Sequence, residues 1–247
     1  MNADIVMVSH KRDLPWLKYS LQLIRKYWTP KPKIIVRLDE DCRETVEQWP
    51  TQAEFYYVKP WPDGYTFQMY QKMTADDFTD SDLIILWDSD VMLCAPANLG
   101  WIFWEGKPII EYQEWEEVAG VSEQVWRRPT SQMVGLDLDR EFMCGVPFIY
   151  WRETFSKTRV QIARTHRRSF FDCIYSETPF SAKTFMTHPM KLADFEALGL
   201  CAAKLEPDRY NFRHNKERPK DWPFKLYWSH GGLSAEIQAD LDNLLSR

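Results

Sequence analysis

The sequence predicts an α/β fold, a single domain in which one sheet of mainly parallel strands is flanked by helices. Three observations predict it. Short β-branched and apolar runs alternate with helical stretches over the first ninety residues, the runs end in polar clusters, and no linker, repeat or low-complexity segment divides the 247 residues. A hydrophobic fraction of 45% beside 27% charged residues fits an ordinary globular chain and excludes disordered, collagenous and coiled-coil classes.

The elements follow in order. Asp4 to His10 (DIVMVSH) reads as a strand, and Leu14, Leu17, Leu21 and Ile24 recur at helical spacing after it. Pro30 and Pro32 break the chain before Lys33 to Leu38 (KIIVRL), a second strand that runs into Asp39-Glu40-Asp41. Glu54 to Val58 makes a third strand, and a turn at Pro60 to Gly64 leads into a helix predicted over Thr66 to Phe78, with Gln68, Gln71 and Lys72 on one face. Asp82 to Trp87 (DLIILW) reads as a fully buried strand entering Asp88-Ser89-Asp90. Beyond it the pattern predicts strands at Pro108 to Tyr112 and Val146 to Trp151, and helices at Glu153 to Arg167, Asp194 to Ala203 and Ala235 to Leu245. In a parallel sheet the ligand crevice lies beyond the carboxyl ends of the strands, which would collect the clusters at His10, Asp39 and Asp88.

Composition narrows the function. No apolar run approaches the roughly 20 residues that span a bilayer. Met1 to Asp4 lacks a basic and apolar leader pattern, so a cytoplasmic location is expected. Cys42, Cys94, Cys144, Cys173 and Cys201 show no paired spacing, which argues for reduced thiols and against a zinc site. There is neither a GxxxxGK[ST] loop nor a GxGxxG fingerprint, which disfavours P-loop and dinucleotide chemistry.

The strongest chemical signal is Asp88-Ser89-Asp90 at a strand end. Two carboxylates one residue apart can converge on a hard divalent cation that keeps positions open for a substrate's phosphates, although such a triplet also arises as a plain polar strand end or helix cap. With DIVMVSH at the start, LDED after the second strand, the QMYQKM helix and YWSHGG near the end, the chain resembles the GT-A family of nucleotide-sugar glycosyltransferases over most of its length. The resemblance implies a GT-A-like, Rossmann-type mixed sheet, with residues 1–90 binding the nucleotide sugar and residues 91–247 forming the acceptor side. It also implies Mn²⁺ or Mg²⁺ held by Asp88 and Asp90, with His230 completing the metal site.

The same resemblance places the nucleoside of the donor, a nucleotide diphosphate sugar and in particular a UDP-sugar, near Ser9, His10 and Asp39, with Ser89 beside the metal. Arg12 and Lys72 would meet phosphates, Lys72 sharing its helix face with Gln68. Gly145 in Cys144-Gly145-Val146-Pro147 would leave room for the donor sugar, and Gly231 would let the backbone approach a phosphate. Asp194 is implied as the base that takes the acceptor proton, with Glu196 second, although acids at a helix start also simply favour the helix dipole. His166 and His188 have no metal spacing.

The acceptor is expected to be a glycan hydroxyl, and charge keeps a second acceptor open. Residues 152–221 carry 14 basic and 9 acidic side chains, against 15 and 24 in residues 1–151. A basic face with Tyr210 and Phe212 interleaved would suit a hydroxymethylated base in DNA. A non-catalytic nucleotide-sugar or nucleic-acid binding module, and a nucleotidyltransferase, are the competing classes. The latter is disfavoured by the absence of glycine in Val8 to Arg12.

Overall fold

The first strand, β1 (Ala3–Val8), is buried on both faces, as a central strand of a covered parallel sheet must be. The computed structural model describes residues 2–59, 63–118, 123–175 and 192–247. In chain order β1 is followed by α1 (Leu14–Tyr27), β2 (Ile34–Asp39), α2 (Arg43–Val46), β3 (Glu54–Val58), α3 (Gly64–Met73), β4 (Leu83–Leu86), β5 (Val91–Leu93), β6 (Phe103–Trp104) and β7 (Lys107–Glu114). Then come α4 (Arg128–Val134), β8 (Arg140–Glu141), β9 (Phe148–Trp151), α5 (Arg152–His166), α6 (Phe170–Ile174), α7 (Asp194–Leu205), β10 (Asn211–His214), β11 (Phe224–Leu226) and α8 (Ala235–Ser246).

The main sheet has the order β3-β2-β1-β4-β9. Its first four strands are parallel, and β9 adds an antiparallel edge with Phe148 opposite Leu86. Because β2 and β3 lie on one side of β1 and β4 on the other, the strand order reverses between β1 and β4, where open α/β sheets bind ligands. The architecture is a single mixed α/β domain. The later half contributes β9 to the sheet of the first.

Two smaller sheets shape the surroundings. The β10-β7-β6 sheet, with β8 also on β7, packs beside β9, and β5 pairs antiparallel with β11. Those short strands, together with β6, β8 and β10, are elements that residue pattern alone does not disclose, because two to four residues carry no periodicity. The helix predicted to reach Phe78 ends at Met73, and a short 3₁₀ turn at Ala75–Asp77 follows. The buried Arg37 of β2 donates to the Gln71 carbonyl (3.2 Å) and the Thr74 hydroxyl (3.3 Å), so a cation caps the carbonyl end of α3 and stops it there. Of the turn expected at Pro60 to Gly64, residues 60–62 lie outside the described residues, while Asp63 caps α3 through the backbone N–H groups of Tyr65 and Thr66.

α7 is the most deeply set helix, with Asp194 through Ala202 all buried. Gly199 makes this possible: a Cβ there would lie 2.5 Å from Cγ of Phe142. Gly199→Ala should therefore overpack the α7 contact and cost about 1–3 kcal/mol, lowering the melting temperature by several degrees. A melting temperature equal to wild type would show that Phe142 yields freely.

Candidate functional site

The carboxyl ends of β1, β2 and β4 bring together residues far apart in sequence. Ser9 and His10 follow β1, Asp39 ends β2, and Asp88 to Asp90 follow β4. His10 Nδ1 lies 3.2 Å from Asp39 Oδ2, and the Ser9 hydroxyl is buried with no hydrogen-bond partner among the described residues. An unsatisfied buried hydroxyl is costly unless a ligand completes it, and this one sits at the crevice between β1 and β4.

The Asp88-Ser89-Asp90 turn is held from below. Trp87 is 1% exposed, its backbone N–H donates to Val6, and its indole N–H lies 3.0 Å from the Ser20 hydroxyl of α1 and 2.9 Å from the Val91 carbonyl. From the other side the β5–β11 pairing carries Tyr227 and Ser229 to Asp90: the Tyr227 N–H donates to the Asp90 carbonyl (2.9 Å) and the Ser229 N–H to Asp90 Oδ2 (3.0 Å). Burial, and then the charge of Asp88, push the Asp90 carboxyl above its ordinary range.

Lys72 is the charge that the fold itself supplies. Its Nζ is 2.6 Å from Asp88 Oδ1 and 3.2 Å from Asp194 Oδ2, with the lysine side chain 5% exposed and that of Asp194 2%. The ammonium also lies 4.3 Å from the ring of Phe195. Burial pulls the lysine down, but Asp194 and Asp88 outweigh it and hold the ammonium above the ordinary lysine value. Burial pushes the Asp194 carboxyl up, against the pull of Lys72.

These placements revise several sequence expectations. Lys72 is spent on Asp88 and Asp194 and does not face an open phosphate position. Asp194 meets that ammonium beneath the surface, its side chain 2% exposed. Glu196 is 0% exposed and accepts the Phe142 N–H at 2.9 Å; burial, then the charge of Glu141, raise its carboxyl well above a free glutamate. An acid at a helix start was read as accessible, but α7 is covered along that whole stretch. His230 is exposed, and its imidazole stacks on Trp228 with ring centroids 6.3 Å apart. Its backbone segment reaches Asp90, yet among the described residues no three His, Cys, Asp or Glu side chains converge on one cation position.

The remaining candidates are spread more loosely. Ser89 is buried behind the turn, and Gln68 lies half-buried one helical turn before Lys72. Arg12 is exposed and reaches Asp13 at 3.3 Å. A Cβ at Gly145 would fall 2.9 Å from Cβ of Glu111, so the small residue there admits that side chain. A Cβ at Gly231 would meet nothing within 4 Å. His166 is structural, bonding the Met133 carbonyl (2.9 Å), and His188 lies outside the described residues.

The basic face expected over residues 152–221 is largely consumed by internal pairing. Arg159 pairs with Asp76, Lys157 with Glu206, and Arg209 with Glu153 and Glu206. Arg213 and Arg218 both clasp Glu111 (2.7 and 2.5 Å), and Lys216 holds Glu117. Counting sequence charges could not show this, because the acidic partners of Arg159, Arg213, Arg218 and Lys216 lie outside the counted segment. Arg164, Arg167 and Arg168 at the end of α5 stay exposed without a carboxylate partner among the described residues.

The donor set fits a hard divalent cation in part: the Asp88 side chain, 24% exposed, meets Lys72 through Oδ1, and the Asp90 carboxyl follows in the same turn. No protein-family model matches the chain, and no curated protein matches it.

Two outcomes follow from the buried charges. Lys72→Met leaves Asp194 buried without its cation and should cost roughly 3–5 kcal/mol, a fall in melting temperature on the order of 10 °C, part of which Lys72→Met with Asp194→Asn recovers. No fall in the single variant, or no recovery in the double, would contradict the pairing. Glu196 holds its proton more tightly in the native state than in the unfolded chain, so its contribution is whole in acid and is lost as pH rises from the free glutamate value toward the native one. Glu196→Gln keeps the acceptor for Phe142 and should flatten the decline of melting temperature as pH rises above the free glutamate range, whereas parallel slopes would show that the carboxyl ionises freely.

Proposed function

We propose that the chain transfers a sugar from a nucleotide diphosphate sugar, in particular a UDP-sugar, to an acceptor hydroxyl on a glycan, using Mn²⁺ or Mg²⁺ at Asp88 and Asp90. The observation that carries this reading is the position of the two carboxylates at the β1/β4 switch point, next to the orphan hydroxyl of Ser9 and the His10–Asp39 pair. The GT-A-like order of the motifs supports it.

In this reading Ser9, His10 and Asp39 hold the nucleoside, and Asp88 and Asp90 hold the cation, which when bound neutralises the leaving diphosphate. Lys72 holds the Asp88 carboxylate in place. The acceptor oxygen bonds to the anomeric carbon as the bond from that carbon to the diphosphate breaks, and the diphosphate leaves with the electron pair. With Asp194 and Glu196 both buried, the acceptor's proton passes to the diphosphate oxygen so freed. A hydroxymethylated base in DNA is the less favoured acceptor, because the internal ion pairs leave few arginines free to meet phosphates.

UDP at a hundred times its Kd should stabilise the protein by about 2.7 kcal/mol in the presence of Mn²⁺, and markedly less with a chelator. Asp90→Asn preserves the acceptor for the Ser229 N–H but removes a charge that burial disfavours. It should raise the ligand-free melting temperature while abolishing the Mn²⁺-dependent part of the UDP shift and sugar release from UDP-sugars. Equal UDP shifts with metal and chelator, together with no hydrolysis of any nucleotide sugar, would reject the reading in favour of a binding module.

A further inference from the structure

Trp104 is 62% exposed, an unusual position for an indole, and the chain builds a scaffold to hold it there. It closes β6 just before a two-residue hairpin, Glu105-Gly106, whose φ angles of 48° and 78° are both positive, as a type I′ turn requires. Glutamate rarely adopts that conformation. The Trp104 carbonyl is tied from the other side by the Asn211 side-chain amide of β10 at 2.7 Å. Trp101 lies one short turn earlier and packs edge-on against Trp222 at 6.0 Å, and Trp222 carries the Arg213 guanidinium at 4.9 Å from its ring centre.

Between these side chains lies a cleft of about 300 Å³, lined by Trp101, Trp104, Ile109, Asn211, Arg213 and Pro219. We propose that this cleft is a saccharide subsite, which holds a pyranose ring of the acceptor glycan against the indole of Trp104. The word acceptor rests on the transfer reading above; the saccharide chemistry rests on the cleft.

The volume is at the lower end of the roughly 300–1,000 Å³ found for small-molecule sites, which suits one or two sugar rings. The outward C–H groups of a pyranose carry a slight positive charge and pack on the negative face of an indole, while its hydroxyl groups need donors and acceptors at the edge. The Asn211 amide and the Arg213 guanidinium stand at that edge. Arg213 is held on Glu111 at 2.7 Å, a carboxylate it shares with Arg218, and Glu105 is exposed beside Trp104, so the rim offers a sugar's hydroxyl groups both a fixed donor and an acceptor.

Ile109 and Arg213 also line a small recess that reaches Gly145 and Phe148; its free volume, about 10 Å³, is that of a single water, so a glycan seated on Trp104 would lie on the surface and not enter it.

The test titrates the full chain, without donor or metal, with maltose, cellobiose, lactose and chitobiose up to 50 mM, following the tryptophan indole N–H signals by NMR. At least one disaccharide should shift the Trp104 signal, and Trp104→Ala should weaken its binding tenfold or more, with Trp104→Phe intermediate. Both variants should keep the UDP and Mn²⁺ thermal shift of wild type, which shows that they fold and separates this proposal from the transfer reading. Unmoved indole signals with all four disaccharides, equal affinity in Trp104→Ala, or displacement of the sugar from Trp104 by a single-stranded oligodeoxynucleotide would overturn it.

Discussion

The buried ammonium of Lys72 is the contact on which the rest of the site depends. It joins three elements at one point: α3, which carries it, the turn after β4 through Asp88, and the start of α7 through Asp194. None of the three can be removed alone without leaving an unpaired charge in a low-dielectric interior. Yet the node is not balanced. Lys72 meets two carboxylates, Asp88 and Asp194, and the turn adds a third, Asp90, whose carboxyl is pushed up by burial and by the charge of Asp88.

Rigid supports make that surplus sustainable. The indole of Trp87, bonded to α1 and to Val91, fixes the floor of the turn, while the β5–β11 pairing supplies the Ser229 N–H to Asp90. Arg37 ends α3 one residue beyond Met73, which sets the distance from the helix end to Lys72. Each support comes from a different part of the chain. The site is therefore preorganised by packing that surrounds it on every described side, and small changes at Trp87 or Arg37 reach the carboxylates without touching them.

A second consequence concerns the acidic groups of α7. Glu196 and Glu141 each have one carboxyl oxygen without a hydrogen-bond partner, and both are buried. Burial pushes both carboxyls above the free glutamate range, and the charge of Glu141 adds to the shift at Glu196. The basic side chains of the later half are absorbed by carboxylates, Arg213 and Arg218 by Glu111, Lys216 by Glu117, Arg209 by Glu206 and Arg159 by Asp76. Much of the positive charge of residues 152–221 is thus paired internally, while Arg164, Arg167 and Arg168 stay exposed.

Much of the architecture was determined by the sequence alone. Runs such as Leu83 to Leu86, apolar at every position, can be satisfied only inside a covered sheet, and the helical spacing of Leu14, Leu17, Leu21 and Ile24 has one partner face to bury. Those local constraints also placed His10, Asp39 and Asp88 at strand ends. What the sequence could not determine is which strands are neighbours and which polar groups end up covered. The 3-2-1-4 order that brings Ser9 beside Asp88, the bridge from Lys72 to Asp194, the burial of Glu196 and the outward turn of His230 depend on contacts between residues tens to more than a hundred positions apart. Hydrophobic periodicity reports the environment of a residue's own element, whereas the charge and exposure of a side chain are set by whatever packs against it, and that was decided only when the tertiary structure closed.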